Sequence, residues 1–210
     1  MMSNIIEQLA SASGRKDELL NQELAASVVI KEDTAAVREL VDLLQHKNKD
    51  IQSDCIKVLY EIGERKPGMI APYCDAFLNL LHSKNNRLVW GAMTALDCIT
   101  ALKPEPVYQQ LPAIIDAANK GSVIVKDHFI GILIKLISIE KYEQDAMILL
   151  LDQLKASATN QLPMYAEQAM NAVPSSFKQA FIQVLTGRLP DIEKESKRNR
   201  VEKVIRKLQK

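Results

Sequence analysis

The chain has 210 residues, of which 47% are hydrophobic and 25% are charged, and its formal net charge is +1. A chain of this length can form a sizeable core, and its balanced charge argues against a strong overall attraction to nucleic acids or membrane surfaces. Aromatic residues make up only 5% of the chain and seven glycines are present. This composition disfavours β-sandwiches and barrels, because those folds need strand aromatics and turn glycines.

Cysteine usage and the first residues both predict a cytoplasmic protein. The three cysteines, Cys55, Cys74 and Cys98, include no CxxC pair, so neither a disulfide framework nor a zinc site is expected. The opening MMSNIIEQLA has no basic segment followed by a long apolar core, which predicts no secretory signal. The longest apolar stretch, FIGILIKLI, is much shorter than the about 20 residues of a membrane span. No membrane partner is therefore expected.

Residues 1–35 predict two capping helices. The segments NIIEQLA and KDELLNQELAASVV have helical character and are separated by SASG. They do not follow the repeat that begins after them, and the terminal units of repeat proteins usually depart from the consensus. We therefore interpret residues 1–35 as an N-terminal cap.

Residues 36–175 contain four copies of a pattern that recurs every 37 residues. The stretch LVDLLQHKNKDIQSDCIKVLYEI, which begins at Leu40, matches FLNLLHSKNNRLVWGAMTALDCI, which begins at Phe77. The apolar register continues without insertion through all four copies, as at Ile51, Leu88, Val125 and Leu162. Repeats of about this length are typical of stacked helical hairpins.

Each copy predicts two antiparallel helices. In the first copy, apolar residues from Ile51 to Ile62 fall at i, i+4, i+7, i+8 and i+11, which is one face of an α-helix. A shorter apolar stripe lies just before it, and the polar turn between them offers Asn48 and Asp50 to end one helix and cap the next. A single hairpin cannot bury its own apolar face, so stacking on its neighbours must stabilise it.

The repeats resemble those of the HEAT family. LLQHKNKDIQSDCIKVLYEI and LLHSKNNRLVWGAMTALDCI are the best matches, and the resemblance covers about residues 37 to 174. It implies an all-α fold in which residues 1–210 are a single domain, a right-handed α–α superhelix or HEAT-like solenoid. The family commonly places arginine just after a Val-like position and aspartate in the turn. This chain instead has Gln52, Val89, Lys126 and Pro163 at the first position and Asn48, Asn85 and Ser122 at the second. We therefore expect the stacking to depend on apolar burial rather than on an Asp–Arg ladder.

Residues 176–210 predict C-terminal capping helices, the last of which is basic. FKQAFIQVLTGRL reads as one helix, and DIEKESKRNRVEKVIRKLQK as an amphipathic helix with Val201, Ile205 and Leu208 facing inward. Residues 193–210 include eight basic and three acidic side chains. This excess favours either a solvated outer face or contacts with phosphates. The possible phosphate contacts are Arg198, Arg200, Lys203, Arg206 and Lys207.

Sequence motifs for catalysis or metal binding are missing. His46, His82 and His128 form no HxxxH or HExxH pair, and the first two lie in or near turns, where solvated histidines are expected. No phosphate-binding glycine loop and no GxSxG elbow is present. Cys55 aligns with apolar positions of the later copies, which favours a core residue over a nucleophile. We therefore predict no catalytic residue, no cofactor and no metal site.

The side of the second helices opposite their apolar stripe is the candidate interaction surface. The HEAT resemblance implies that this side lines a concave groove, and aromatic anchors among polar groups are typical of interaction surfaces. The candidate protein-binding residues are Lys57, Tyr60, Trp90, Asp97, Asp127, Ile134 and Met164. The alternative for Trp90 is that it packs half-buried against a neighbouring helix.

Three functions follow from this interpretation. The leading hypothesis is a non-enzymatic scaffold that binds a protein or peptide in the groove. The alternative is a DNA-binding protein similar to the HEAT-like alkylpurine DNA glycosylases, which would use Trp90 with Asp97 or Asp127 and the cations Lys57 and Lys126. A lyase-type or cofactor-handling HEAT-like protein is the third possibility, and only the shape of the fold suggests it.

Overall fold

The computed structural model describes residues 5–14 and 18–210, and within these ranges every regular element is a helix. The all-α prediction is therefore confirmed. Among these residues, no helix has both the length and the apolar character needed to cross a membrane. The α-helices of the described residues are α1 (Ile5–Gln8), α2 (Leu19–Lys31), α3 (Thr34–Asp42), α4 (Lys49–Arg65), α5 (Cys74–Leu80), α6 (Asn86–Ile99), α7 (Pro104–Gln109), α8 (Leu111–Lys120), α9 (Val123–Ile137), α10 (Glu140–Ala156), α11 (Leu162–Ala169), α12 (Lys178–Arg188) and α13 (Glu195–Leu208).

The chain divides into two compact units, Met1–Phe129 and Ile130–Lys210. The boundary falls within α9, the helix that the sequence predicts as the second of the third copy. The single-domain organisation over residues 1–210 stays a prediction.

In the first unit, polar residues start the long helices at the predicted turns. Asn48 and Asn85 precede α4 and α6, and each side-chain carbonyl accepts a hydrogen bond from the backbone amide two residues on, at 2.8 and 3.1 Å. These bonds satisfy amides that have no partner inside the helix. As a result α4 and α6 begin 37 residues apart, at Lys49 and Asn86.

The apolar stripes of α4, α6 and α9 form much of the core of the first unit. Leu88 and Val125 are buried at equivalent positions of α6 and α9. Ile51, in the first turn of α4, is only partly covered, whereas Leu59 and Leu96 further along their helices are fully buried. Burial of these side chains is the main stabilising contribution that stacked helices can make.

The N-terminal segment is attached to α4 by a polar network. Asp54 accepts hydrogen bonds from the Ser11 amide at 2.8 Å and from the Asn21 side chain at 2.7 Å, and Asn21, which is fully buried, accepts from the Ala10 amide at 3.1 Å. The sequence predicts one helix over NIIEQLA, but α1 covers only four residues and a 3₁₀ turn follows it. The parts of the two predicted capping helices at residues 4 and 16–17 lie outside the described residues.

A neutral link joins the turns that precede α4 and α6. The Gln52 side chain donates to the His46 carbonyl at 2.8 Å and accepts from the Asn85 side-chain amide at 3.3 Å. The sequence analysis expects no Asp–Arg ladder between copies. At this junction a hydrogen bond between Gln52 and Asn85 connects the two copies instead. Apolar burial is therefore not the only contact between these copies.

In the second unit, α11 is shorter than the predicted fourth copy requires. It ends at Ala169, so Met170 and Val173 lie beyond it and are only half-buried. Pro163 occupies the first turn, as predicted, where its missing amide costs nothing. Pro174 disfavours helical backbone at Val173, but α11 already ends before that position.

Arg188 is the capping residue for the C-terminus of α10. Its guanidinium donates to the carbonyls of Leu154, Lys155 and Ser157 at 2.7, 2.6 and 2.9 Å, and to the Asp191 carboxylate at 2.7 Å. Only 16% of the side chain is exposed. The planar fork of five donors is what allows one residue to reach three carbonyls.

Replacing Arg188 by alanine is expected to lower the free energy of unfolding by about 2 kcal/mol, because partly buried carbonyls lose a charged donor. Arg188→Lys is expected to recover only part of the loss, since an ammonium cannot match the fork. Urea denaturation followed by circular dichroism measures both changes. Full recovery in the lysine variant would contradict the proposed role of the fork.

The last helix, α13, packs largely through the face that the sequence predicts. Val201 and Ile205 are buried, as expected, and Val204 is buried with them. Leu208 is only partly buried, because it is the final residue of α13. The charged side chains of α13 therefore lie mostly on its exposed side.

Candidate interaction groove on α4 and α6

Gly91 of α6 packs directly against Ile56 of α4. A Cβ atom added to Gly91 would lie 2.3 Å from Cγ1 of Ile56, and 3.2 Å from its Cβ. A side chain larger than hydrogen at this crossing would displace the Ile56 side chain or the helix that carries it. Gly91 therefore permits the close contact between the two helices whose outer surfaces carry the candidate residues.

A small groove of about 180 Å³ opens between these helices, and we call it the α4–α6 groove. Three of the predicted residues line it together: Lys57 and Tyr60 from α4, and Trp90 from α6. The remaining walls include Glu18, Ser53, Ile56, Arg87, Gly91, Thr94 and Ile124. The groove thus combines half-exposed aromatic surface with charged groups of both signs.

A charged cluster adjoins this groove through two of its lining residues, Lys57 and Glu18. The Lys57 ammonium lies 2.8 Å from a Glu61 oxygen and 3.1 Å from a Glu18 oxygen, and 4.8 Å from the centre of the Tyr60 ring. Arg65 contacts the second Glu61 oxygen at 2.5 Å. Glu61 is only 6% exposed. A carboxylate this deeply buried is costly unless it is paired, and here two cations, Lys57 and Arg65, pair with it.

The pKa shifts in the cluster favour the charged forms of Lys57 and Glu61. Burial alone would lower the pKa of Lys57, but its hydrogen bonds to Glu61, Tyr60 and Glu18 outweigh burial and raise that pKa. Burial alone would raise the pKa of Glu61, but Lys57 and Arg65 lower it overall. Burial raises the pKa of Tyr60. The shifts of Lys57 and Glu61 therefore both favour the charged form of the group.

The two predicted aspartates do not line the groove. Asp97 lies further along α6, where one of its oxygens is 2.9 Å from Nδ1 of His128 on α9. Asp127 is half-buried on α9. The sequence analysis assigns both to an open interaction surface, but the Asp97 side chain is only 17% exposed and has a partner.

Ile134 and Met164 belong to the second unit, and both are half-buried there. Ile134 lies on the last turns of α9 and Met164 in the first turn of α11. Their assignment to a protein-binding face stays a prediction.

The basic residues of α13 divide into two groups. Arg198 donates to the Ile192 carbonyl at 2.7 and 3.1 Å, and Arg200 forms a two-point contact with Glu167 at 2.5 and 2.9 Å. That hydrogen bond from Arg200 lowers the pKa of Glu167. The other three candidates, Lys203, Arg206 and Lys207, are exposed.

The sequence analysis missed Glu61, Glu18, Ile124 and Arg87 as parts of this site. A detectable sign exists for Glu61, because Lys57 and Arg65 stand four residues before and after it, the spacing at which helical side chains meet. No local pattern identifies Glu18 or Ile124, since they come from other helices or turns.

The thiols of Cys55 and Cys74 are buried. Burial raises the pKa of Cys55 to about 12 and that of Cys74 to about 11, and a thiol that stays protonated is a poor nucleophile. Within the described ranges, no group of three or more His, Cys, Asp or Glu side chains is arranged to hold a metal ion.

Comparison with known proteins identifies the fold only. No family model and no curated protein matches the sequence. Three crystal structures of engineered proteins from the Northeast Structural Genomics Consortium are similar in structure. The first is 17% identical with a TM-score of 0.60, over 99% of this chain and 97% of that one. The second is 17% identical with a TM-score of 0.61, and the match covers 97% of this chain and 99% of that one. The third is 18% identical with a TM-score of 0.62, and the match covers 98% of this chain and 58% of that one. At these identities the likeness concerns the fold and carries no function.

Proposed function

We propose that the chain is a HEAT-like α-solenoid that acts as a scaffold and binds a protein partner in the α4–α6 groove. The observation that carries this proposal is the convergence of Tyr60, Trp90 and Ile124 on one groove rimmed by charged groups. Ile124 is 46% exposed, and large apolar side chains with a polar rim are the usual anchors of protein recognition.

Regular helix spacing supports the solenoid part of the proposal. The helices α4, α6 and α9 begin at residues 49, 86 and 123, which is the period of the sequence repeat. Cys55, Cys74 and Cys98 are free thiols, which supports action in a reducing cytoplasm.

The charges of the groove favour a protein partner over a nucleic acid. Lys57, the cation that the DNA-binding alternative requires there, is held by Glu18 and Glu61. Binding of a phosphate backbone depends on cations that are free to contact it, and the ammonium of Lys57 already has two carboxylate partners, whereas Arg87 is an exposed cation of the groove wall.

The test compares two substitutions of equal chemistry at sites of equal exposure. Ile124→Glu places a charge in the groove, and Ile148→Glu is the matched control, because Ile124 and Ile148 are 46% and 47% exposed. In capture from extracts of the source cells, wild type and the Ile148 variant should retain a common protein partner that the Ile124 variant loses.

Trp90→Ala combined with Tyr60→Ala should lose the same partner, with circular dichroism establishing that the variants fold. Retention of every partner by both groove variants would refute the groove as the binding surface. Salt-sensitive binding of duplex DNA that weakens in Lys57→Ala would instead support the DNA-binding alternative.

A further inference from the structure

A second groove lies between α2 and α3 in the first unit, and we call it the α2–α3 groove. It comprises two adjoining cavities of about 600 and 330 Å³, which share Gln8, Leu24 and Ser27 in their walls. The short helix α1 contributes Ile5 to the larger cavity. None of these residues lines the α4–α6 groove, so the α2–α3 groove is a separate surface.

One face of α2 forms a wall of this groove. The residues of α2 that line it recur at i, i+3, i+4, i+7, i+8 and i+11, the spacing of a helical stripe: Leu20, Glu23, Leu24, Ser27, Val28 and Lys31. The stripe runs for about 16 Å, since each helical residue rises about 1.5 Å. A second helix of about three turns has the same length.

The contacts of α2 with α4 lie on another side of the helix. The Asn21 side chain donates to Asp54 at 2.7 Å, and the Gln22 side chain donates to Glu61 at 3.4 Å. At about 100° per residue, the direction of these two side chains differs from the middle of the groove stripe by roughly 140°. The stripe is therefore not the face through which α2 packs against α4.

The floor of the groove is apolar, and its walls include small side chains. Leu24 and Val28 of α2 and Ala36 of α3 are buried, whereas Ser27 and Ala35 line the larger cavity with little side-chain volume. The distance at which two helices pack depends on the side chains at their contact. Small residues at this place therefore allow another helix to approach closely.

The rim of the groove is acidic. Among the described residues that line the two cavities, the carboxylates are Glu7, Glu23, Asp33, Glu39 and Asp42. The cations of the same walls are Lys31 and Arg38, and both belong to the larger cavity. An excess of carboxylates attracts a basic partner and repels an acidic one.

We propose that the α2–α3 groove binds a basic amphipathic helix of a partner protein. The apolar face of that helix covers Leu24, Val28 and Ala36, and its lysine or arginine side chains lie at the carboxylate rim. This inference goes beyond the proposed function, because it adds a second binding surface to the one on α4 and α6. A scaffold with two such surfaces can hold two segments at the same time.

A defined peptide tests the groove. The probe is a fluorescein-labelled peptide of about 14 residues in which leucine and lysine are spaced to give a helix one apolar and one basic face. The matched probe has glutamate in place of every lysine. Fluorescence anisotropy measured with the full chain should rise to saturation with the lysine peptide and stay unchanged with the glutamate peptide. No saturation with the lysine peptide, or equal binding of both peptides, would overturn the inference.

Charge reversal tests whether the peptide binds at this rim. Glu23→Lys with Asp42→Lys reverses two exposed carboxylates of the groove and should raise the dissociation constant of the lysine peptide about tenfold. Glu64→Lys with Asp75→Lys is the matched control, because it reverses an exposed glutamate and an exposed aspartate that do not line the groove. This control should raise the dissociation constant less than about twofold, since distant charges are screened by salt. Equal effects of the two pairs would overturn the inference.

A bulky side chain tests the same place sterically. Ser27→Phe adds a ring where the two cavities adjoin and should raise the dissociation constant of the lysine peptide at least about tenfold, whereas Ser27→Ala should leave it unchanged. Circular dichroism establishes that each variant folds, and the charge reversal at the exposed rim provides the test if the phenylalanine variant does not fold. A folded Ser27→Phe variant that binds the peptide as wild type does would overturn the inference.

Two further measurements separate this inference from its alternatives. Ile124→Glu alters the α4–α6 groove and should leave peptide binding unchanged, so loss of binding in that variant would place the peptide in the α4–α6 groove and overturn the inference. Peptide binding that persists while partner capture is unaffected by Ile124→Glu would support the α2–α3 groove and refute the proposed function. Sedimentation velocity of the chain alone tests a second copy as the occupant. Self-association that Glu23→Lys with Asp42→Lys abolishes would overturn the partner helix in favour of that copy.

Discussion

Replacing Glu61 by alanine is expected to lower the free energy of unfolding by about 3 kcal/mol, because it leaves the nearly buried ammonium of Lys57 with Glu18 as its one remaining carboxylate. Breaking a buried pair from one side costs more than the pair contributes, since the remaining charge stays desolvated. Urea denaturation followed by circular dichroism measures the change.

The control for Glu61 lies on the same helix. Glu64→Ala removes an exposed carboxylate of α4 and should change the free energy of unfolding by less than about 0.5 kcal/mol. The double substitution Lys57→Met with Glu61→Leu should be less destabilising than Glu61→Ala alone, because no unpaired charge remains. A Glu61→Ala variant as stable as the Glu64→Ala variant would show that the cluster is solvated rather than buried.

The same cluster predicts a pH dependence. The pKa of Glu61 is lowered in the folded protein, so its contribution is fully present above the unfolded pKa of about 4.3 and is lost as the pH falls through the folded value. The stability difference between wild type and Glu61→Gln should therefore shrink as the pH is lowered below about 4. Urea midpoints at descending pH measure it, and a constant difference would refute the pKa direction.

Helix positions could be predicted from the sequence because local chemistry determines them. Apolar spacing near 3.6 residues identifies α4 and α6. Asn48 caps α4 as expected, and Asn85, at the equivalent position 37 residues later, caps α6. The fourth copy departs, because α11 ends at Ala169 although the apolar pattern continues to Val173. Periodicity gives the face of a helix but does not give the residue at which the helix ends.

The candidate site was less predictable, because it depends on how helices face each other. Asp97 was assigned to an open surface from the geometry of its own helix, yet its partner His128 comes from α9. Glu61 was missed because a charged residue in an amphipathic pattern is normally assigned to solvent, and here Lys57 and Arg65 compensate its burial. Lys57, Tyr60 and Trp90 line one groove, and the sequence places all three opposite the apolar stripe; their part in binding stays a prediction.

Gly91→Ala is expected to lower the free energy of unfolding by about 2 kcal/mol, although alanine is the better helix former by about 1 kcal/mol. The added methyl would lie 2.3 Å from Cγ1 of Ile56 and 3.1 Å from its Cγ2, and such overpacking of a core typically costs about 1–3 kcal/mol. Since Gly91 and Ile56 both line the α4–α6 groove, the shift needed to fit the methyl should also change the fluorescence of Trp90.

A second glycine separates the clash from the helix propensity. Gly187 lies in α12, and a Cβ atom there would meet nothing within 4 Å, so Gly187→Ala should stabilise the protein by about 0.5 to 1 kcal/mol. In an Ile56→Ala background the two Cγ atoms that clash with residue 91 are gone and the Cβ contact at 3.2 Å remains, so Gly91→Ala should then cost much less. A cost that persists in that background would mean that the backbones, rather than the Ile56 side chain, limit the approach of α4 and α6.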